Sequence, residues 1–189
     1  MKPKDHQKET KMSYEIKPGN LFTHAPRKAI LTHACNAQGR WGRGIALEMK
    51  HKFPTAFAHY VKYCQARDTG FPGGPNRAKC GSSFIAIDQK LIGCLITSWH
   101  WSPPDTPEDI LGYTKTAAKS LIEQAVASYP GYEIHSCKIN SNLFQVDWAK
   151  TESVIKKVLE DTGDKMKWVV WDYERFKATT TTPSNYPPK

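Results

Sequence analysis

The stretch of sequence that decides the fold is His33-Ala-Cys-Asn-Ala-Gln-Gly-Arg-Trp-Gly-Arg-Gly-Ile-Ala46, in which an apolar run leads into a loop with three glycines. Residues 29–35 before the loop are apolar and typical of a strand, and a helical pattern begins at Ile45 and Ala46. A strand, a glycine loop and a helix in this order bring backbone N–H groups and the positive end of a helix to one point. The segment therefore predicts a site for a phosphorylated ligand or, more simply, a tight turn.

The spacing of the glycines excludes the two commonest nucleotide motifs. Gly39-x-x-Gly42-x-Gly44 reverses the dinucleotide pattern G-x-G-x-x-G, and no Lys-Ser or Lys-Thr closes the loop as in a P-loop. A simple turn would not need the polar and aromatic residues around the glycines, which are His33, Asn36 and Trp41. These residues favour the ligand site over the plain turn.

Outside this segment, strand-like and helical patterns alternate along the chain. Apolar runs predict strands over residues 14–16, 29–35, 83–87, 91–97, 133–139 and 167–171, and amphipathic patterns predict helices over 44–52, 55–66, 107–128 and 148–159. This alternation is typical of a three-layer α/β/α domain with helices on both faces of a mixed, mostly parallel sheet of about six strands. We expect one domain over residues 13–176, between a disordered basic tail (1–12) and a disordered Thr/Pro-rich tail (177–189).

Composition sets wider limits on partners and compartment. The net charge of +9 favours acidic partners such as nucleotides, although it could also serve only solubility. The sequence carries no recognisable nucleic-acid-binding motif. Of five cysteines, Cys35, Cys94 and Cys137 lie in strand-like runs, where buried thiols suit a reducing compartment. The sequence has no signal peptide, membrane-spanning run or lipidation motif, so we expect a soluble, intracellular protein that is not secreted.

A second loop rich in hydrogen-bond donors joins a predicted strand to a helix at Asn140-Ser-Asn-Leu-Phe-Gln-Val-Asp-Trp148. In a parallel sheet this loop and the glycine loop follow the carboxyl ends of strands, where such folds bind ligands. Two opposed loops of this kind would make a cradle for a diphosphate or a phosphorylated sugar, although residues 140–142 could also only cap the helix. We expect Asp147 to act as the helix cap.

Covalent hydrolytic mechanisms find no support in the sequence. Cys35 lacks the arginine spacing of a cysteine phosphatase, and there is no Asp-x-Asp-x-Thr run or Gly-x-Ser-x-Gly elbow. His135-x-Cys137 reads as structural, and we predict no metal site. Hydrolysis would then depend on a positioned water and on loop amides. His33, near the carboxyl end of its strand, is either the acid/base residue or a buried core histidine.

Taken together, these motifs resemble those of the macrodomain family, whose members have an ADP-ribose-binding α/β/α fold. Gly19-Asn-Leu21, the run from His33 to Asn36, the loop 41–46 and the loop 140–148 are each similar to a family motif. Within the family the resemblance is to the fungal-type ADP-ribose 1''-phosphate phosphatases, which share a Cys-Leu-x-Thr-Ser segment (94–98 here). It extends over about residues 14–173.

The resemblance implies phosphatase activity on ADP-ribose 1''-phosphate, a by-product of tRNA splicing, with His33 and Asn36 as the catalytic pair. It implies that ADP-ribose contacts Asn20, Leu21, Gly39, Trp41, Gly42, Gly44, Ile45, Ala46, Thr97, Ser98, Asn140, Ser141, Asn142, Leu143, Phe144, Gln145 and Tyr173. Asn20 and Tyr173 would flank the adenine, and the two loops would hold the phosphates.

This resemblance also implies a protein that needs no cofactor. It implies a small-molecule partner, ADP-ribose or its 1''-phosphate, without membrane or required nucleic acid. We expect a monomer in the cytoplasm, and also in the nucleus.

Departures from the family pattern keep other functions open. Asn142 and Gln145 replace glycines, and Asp147 replaces a proline, so the second loop has fewer flexible positions. A hydrolase of ADP-ribosylated protein and a non-catalytic ADP-ribose reader are therefore alternatives. The hydrolase is the weaker of the two, because Ser98 and Phe144 stand where the ester-hydrolysing macrodomains have Lys and Asp.

Overall fold

The computed structural model describes residues 13–66, 79–100 and 102–180 of the chain. In these ranges six strands form one sheet in the order β1-β6-β5-β2-β4-β3. The strands are β1 (Tyr14–Pro18), β2 (Ala29–Asn36), β3 (Ser83–Ile87), β4 (Leu91–Ser98), β5 (Glu133–Ser136) and β6 (Trp168–Asp172). All neighbouring pairs are parallel except β3 with β4, which is antiparallel. The predicted mixed, mostly parallel sheet is confirmed.

Helices cover both faces of this sheet. They are α1 (Leu21–His24), α2 (Gly44–Lys52), α3 (Pro54–Gln65), α4 (Pro107–Ser128), α5 (Trp148–Asp161) and α6 (Tyr173–Thr180). Because side chains alternate along a strand, β2 contributes to two separate cores. Leu31 belongs to the buried cluster that contains Met49 of α2 and Tyr60 of α3. Ile30 belongs to the opposite cluster, which contains Leu121 of α4 and residues of α5. The three-layer arrangement follows directly.

Parallel pairing places the functional loops together. Since β1, β2, β4, β5 and β6 run in the same direction, their carboxyl ends lie at one edge of the sheet. The chain leaves that edge after residues 18, 36, 98, 136 and 172. The glycine loop and the loop over 140–148 therefore share one edge, as the sequence predicts.

The structure differs from the predicted elements in three places. Strand β5 ends at Ser136, the last residue paired with β2 and β6, so residues 137–139 leave the sheet instead of extending it. Helix α1 is a single turn, too short to give a periodic pattern. Helix α6 buries none of its residues and continues to Thr180, so the predicted domain end at Phe176 falls inside a helix.

The disordered tails predicted for residues 1–12 and for residues 181–189 lie outside the described residues. Within the described ranges, the structure contains no helix that is both long and apolar enough to cross a membrane.

Candidate functional site

A cleft of about 980 Å³ opens at the carboxyl edge of the sheet. A smaller cavity of about 200 Å³ adjoins it below the glycine loop. The two share Ala34, Arg43, Ala46, Leu143 and Phe144, so the smaller one is an inner extension of the cleft. Of the predicted ligand contacts, the cleft is lined by Asn20, Leu21, Gly44, Ile45, Ala46, Asn140, Ser141, Asn142, Leu143, Phe144 and Tyr173, and the cavity by Asn36, Trp41, Gly42, Ala46, Leu143 and Phe144.

Asn36 organises the first part of the glycine loop. Its Oδ1 accepts from the backbone N–H of Gln38 (2.9 Å) and of Arg40 (3.4 Å), and its Nδ2 donates to the Arg40 carbonyl (2.7 Å). The Tyr60 hydroxyl donates to the Asn36 carbonyl (2.6 Å) and accepts from the Arg40 N–H (3.1 Å). An amide side chain suits this place because it offers a donor and an acceptor together. Asn36 lines the cavity, but its main contacts hold the loop.

Trp41 anchors the middle of the loop. Its ring stacks on Tyr60 with centroids 4.9 Å apart and meets the His33 ring edge-on at 4.5 Å. Its indole Nε1 is buried and has no hydrogen-bond partner among the residues that the structure describes. The loop is therefore fixed on its core side by an aromatic stack, whereas one polar atom there is left unsatisfied.

The last part of the loop exposes the beginning of helix α2. Gly44 starts this helix with φ of 56°, and a Cβ at Gly42 or Gly44 would meet nothing within 4 Å. The N-cap residue, Arg43, makes no side-chain cap, so the first N–H groups of the helix have no partner within it. Gly44, Ile45 and Ala46 line the cleft. Unsatisfied N–H groups and a helix dipole are thus turned toward the cleft, as anion binding requires.

His33 is not in the cleft. Its side chain is fully buried, with 0% exposure, and lines neither cavity. The ring lies between Trp41 and the thiol of Cys35, whose Sγ is 3.5 Å from Nε2. Because the ring lines neither cavity, the role of His33 in orienting or deprotonating the attacking water stays a prediction from the sequence. The alternative interpretation, a buried core histidine, matches the structure.

His33 is also part of a buried group with Cys35 and Cys94, whose ligand atoms lie within 4.8 Å of one another. Burial raises the pKa of the Cys35 thiol well above its ordinary value. All three side chains are buried, and the two cysteines belong to one hydrophobic cluster. We therefore interpret the group as packing within the core.

The second loop is held by the buried side chain of Asn140, which is 5% exposed and has φ of 64°. Its Oδ1 accepts from the Thr97 hydroxyl and its Nδ2 donates to Thr114 Oγ1, both at 2.9 Å. Asparagine tolerates this left-handed backbone better than most residues. The amide thus ties the loop to the end of β4 and to α4.

Further along the loop, apolar residues fix its far side. Phe144 and Val146 are buried in a small cluster with Ile110 of α4, whereas Leu143 stays 39% exposed in the cleft wall. Asp147 accepts from the Ala149 N–H and caps helix α5, as predicted. The loop is therefore a rigid wall and not only a helix cap.

Four predicted contacts lie outside the lining of both cavities. Thr97 is buried and supports Asn140, and Ser98 is buried with its hydroxyl bonded to the His100 carbonyl (2.9 Å). Gly39 faces helix α3, where a Cβ would lie 3.6 Å from Val61 and Cys64 atoms. Gln145 is exposed, with φ of 55°. These residues shape the site from behind or beside it.

The other end of the cleft is formed around Asn20 and Tyr173. Asn20 caps α1 by accepting from the Phe22 N–H at 2.8 Å. Before it, Gly19 lies so close to Trp171 that a Cβ would be 2.6 Å from the indole ring. Tyr173 is 47% exposed at the start of α6 and lines the cleft, with the Phe176 ring and the Lys177 ammonium beside its own ring.

A close ion pair crosses this end of the cleft. Lys138 Nζ is 2.6 Å from Asp172 Oδ2. Burial alone would raise the pKa of the Asp172 carboxyl, but Lys138 and the N–H of Arg175 hold that pKa below its ordinary value. Asp172 is therefore an anion at neutral pH.

Sequence reasoning missed several lining residues, which are Phe22, Ala34, Arg40, Arg43, Glu48, Cys137, Lys138, Trp171, Asp172 and Glu174. Cys137 follows the end of β5 and packs half-buried against the core, as expected, but it also lines the cleft. Most of the others lie within a few residues of the carboxyl end of a strand. This position is the feature of the sequence that could have identified them as lining residues.

Comparison with known proteins agrees with this geometry. The family model of the Macro domain matches residues 32–155. An ADP-ribose 1''-phosphate phosphatase of Candida albicans is 37% identical over 152 residues, which cover 74% of this chain and 89% of that protein. This chain belongs to the Macro domain family.

Solved macrodomain structures share the fold. The macrodomain of Mycobacterium tuberculosis DarG has a TM-score of 0.65 and 23% identity, and the match covers 84% of this chain and 96% of that one. Thermosipho africanus DarTG, solved in complex with ADP-ribose, has a TM-score of 0.63 and 13% identity, covering 93% of this chain and 43% of that one. At these identities the macrodomain fold is what the likeness establishes.

Proposed function

We propose that this macrodomain is an ADP-ribose 1''-phosphate phosphatase. The reaction adds water across the phosphate monoester at the distal ribose and releases ADP-ribose and inorganic phosphate. The observation that carries the proposal is the cleft between the uncapped start of α2 and the rigid second loop. Its volume of about 980 Å³ suits a ligand of nucleotide size, and the Candida albicans relative bears the name of this activity.

The direction of the ligand follows from the chemistry of the two ends. A base would stack on the exposed ring of Tyr173, beside Asn20. The diphosphate would lie at the first N–H groups of α2 and against the loop that starts at Asn140. The distal ribose and its phosphate would then point into the inner cavity, next to Asn36.

In this arrangement the backbone supplies the main chemical contribution. N–H groups fixed at the start of α2 hold the diphosphate without reorganisation, and this positions the transferred phosphoryl group in the inner cavity next to Asn36. His33 acts through Trp41, because the edge-on contact at 4.5 Å supports the ring that closes the loop. We therefore treat His33 as a positioning residue.

The test is phosphate release by the purified full chain from ADP-ribose 1''-phosphate, with ADP-ribosylated protein and ADP-ribose as parallel ligands. We expect inorganic phosphate only from the first. ADP-ribose binding without phosphate release would identify a reader, and release of ADP-ribose from the protein would identify a different hydrolase. Either result would contradict the proposal.

Two substitutions of His33 separate packing from chemistry. His33→Phe keeps an aromatic ring against Trp41 and should retain most of the activity and the same pH profile. His33→Ala leaves a cavity, which costs about 2–5 kcal/mol for large-to-small core changes, and should lower both activity and melting temperature. Loss of activity in a stably folded His33→Phe protein would return His33 to the acid/base role.

We also propose that the substrate comes from tRNA splicing and that the protein works in the cytoplasm or nucleus. The resemblance to the fungal-type phosphatases supports the first point, and the free thiols of Cys35, Cys94 and Cys137 support a reducing compartment. Cells that lack the protein should accumulate ADP-ribose 1''-phosphate, and a tagged chain should localise outside the secretory pathway.

A further inference from the structure

Two arginines flank the inner cavity below the glycine loop. Arg40 lines this cavity alone, whereas Arg43 lines both the cavity and the main cleft. Neither side chain forms an ion pair with a carboxylate in residues 13–66, 79–100 or 102–180. The described lining of the cavity contains no Asp or Glu. Both side chains are exposed, and no carboxylate among the residues that line the cavity compensates their charge.

The main chain of Arg40 is held at a fixed position. Its N–H donates to Asn36 Oδ1 and to the Tyr60 hydroxyl, and its carbonyl accepts from Asn36 Nδ2 at 2.7 Å. Trp41 next to it is stacked in the core. With the main chain fixed, only the side-chain rotamers of Arg40 have to be ordered on binding. Arg40 is therefore better placed for recognition than an ordinary surface arginine.

The inner cavity also has room for a ligand group with several hydrogen-bond acceptors. Trp41 lines it, and its buried indole N–H has no acceptor in the described part of the chain. A water molecule takes about 30 Å³ in the liquid, so a cavity of about 200 Å³ has room for a larger group. A phosphoryl group supplies several acceptor oxygens, and arginine binds it in a bidentate manner.

The distribution of charged side chains along the site also favours an anionic group in the inner cavity. The main cleft carries the carboxylates of Glu48, Asp172 and Glu174, of which Glu48 lies 3.8 Å from Lys52 Nζ and Asp172 lies 2.6 Å from Lys138 Nζ. The inner end carries Arg40 and Arg43. A ligand with a dianionic group at one end is therefore favoured with that end inward.

We infer that Arg40 and Arg43 form a subsite for a terminal phosphate monoester. In this subsite Arg40 distinguishes ADP-ribose 1''-phosphate from ADP-ribose, which lacks that group. Arg43, which also borders the main cleft, contributes to both ligands. The inference rests on the proposed function and names the residues that select its substrate.

The experiment compares Arg40→Gln, Arg43→Gln and the control Arg27→Gln in the full chain. Arg27 is exposed and stands just before the amino end of β2, at the opposite edge of the sheet. For each protein, kcat/KM is measured with ADP-ribose 1''-phosphate and Kd with ADP-ribose. Melting temperatures check that each variant is folded.

For Arg40→Gln we expect kcat/KM to fall about 10-fold or more, as for loss of a hydrogen bond to a charged group. Its Kd for ADP-ribose should stay within about threefold, the size of a screened surface-charge effect. Arg43→Gln should weaken both ligands, and Arg27→Gln neither.

The inference is overturned if the wild type releases phosphate and Arg40→Gln behaves like Arg27→Gln. If the wild type binds ADP-ribose 1''-phosphate without turnover, the proposed phosphatase fails, and the ratio of the two Kd values still tests the subsite. A wild type that binds neither ligand would overturn both.

Discussion

The buried amide of Asn140 offers the sharpest test of how the second loop is built. In Asn140→Ala, the Thr97 hydroxyl loses its acceptor and Thr114 Oγ1 loses a donor, each from a bond of 2.9 Å. Both threonines are completely buried, so water cannot replace the amide at low cost. The change therefore reaches the loop and two elements of the core together.

The expected loss of stability is the sum of two effects. Breaking two buried hydrogen bonds and leaving a hydroxyl unsatisfied costs about 2–4 kcal/mol. The φ of 64° adds a smaller second penalty, because alanine tolerates the left-handed region less well than asparagine, although both carry a Cβ. Asn140→Gly removes the same hydrogen bonds without that second penalty, so it should be more stable than Asn140→Ala by about 1 kcal/mol.

Urea unfolding and ADP-ribose titration of three variants measure these effects. The matched control is Asn142→Ala in the same loop, because Asn142 is exposed. We expect its free energy of unfolding to stay within about 0.5 kcal/mol of the wild type. Asn140→Ala should also bind ADP-ribose more weakly, since the loop is no longer fixed to α4.

Equal stability of Asn140→Ala and Asn142→Ala would refute this account of the loop. Equal stability of Asn140→Ala and Asn140→Gly would contradict the expected effect of the left-handed backbone. It would not affect the expected contribution of the two hydrogen bonds.

Two further predictions concern the half of the sheet that β1, β6 and β5 form. Gly19→Ala places a methyl group 2.6 Å from the Trp171 ring and should destabilise the fold by about 1–3 kcal/mol. The control is Gly42→Ala, whose new Cβ meets nothing within 4 Å, so it should melt like the wild type. Equal melting temperatures of the two variants would contradict the close packing of Gly19 on Trp171. Burial lowers the pKa of His135 from 6.5, against the opposing effect of Glu133, and its Nδ1 accepts from Trp171 Nε1 at 3.1 Å. The unfolded chain therefore takes up this proton first as the pH falls, so the stability contributed by neutral His135 is present above about pH 6.5 and decreases below it. Urea unfolding between about pH 7.5 and 5.5 should show a smaller loss for His135→Gln than for the wild type; parallel curves would contradict the assignment.

Much of the fold could be predicted because its strands and long helices carry strong local patterns. The apolar run from Ala29 to Cys35 is typical of a strand that is buried on both faces. The apolar stripe along α4 predicts a helix that packs one face against a sheet. The two loops were predictable for the same reason, since glycines and short polar residues follow buried strands. Helices α1 and α6 have no such pattern, because α1 is a single turn and α6 buries none of its residues.

The candidate site was harder to predict, because side-chain direction decides it. His33 shares its strand face with Leu31 and Cys35, and this alternation was a signal that its ring points into the core. Arg40 and Arg43 resemble solvated loop residues in the sequence. Only the approach of the two loops gives their charges a common cavity.

The stack of Trp41 on Tyr60 has a consequence for the energetics of ligand capture. A segment with three glycines in six residues would ordinarily sample many backbone states, and binding would have to select one of them. Here the anchored indole restricts that ensemble during folding, before any ligand arrives. The donors at the start of α2 are therefore preorganised, and less conformational entropy remains to be lost when the cleft is filled.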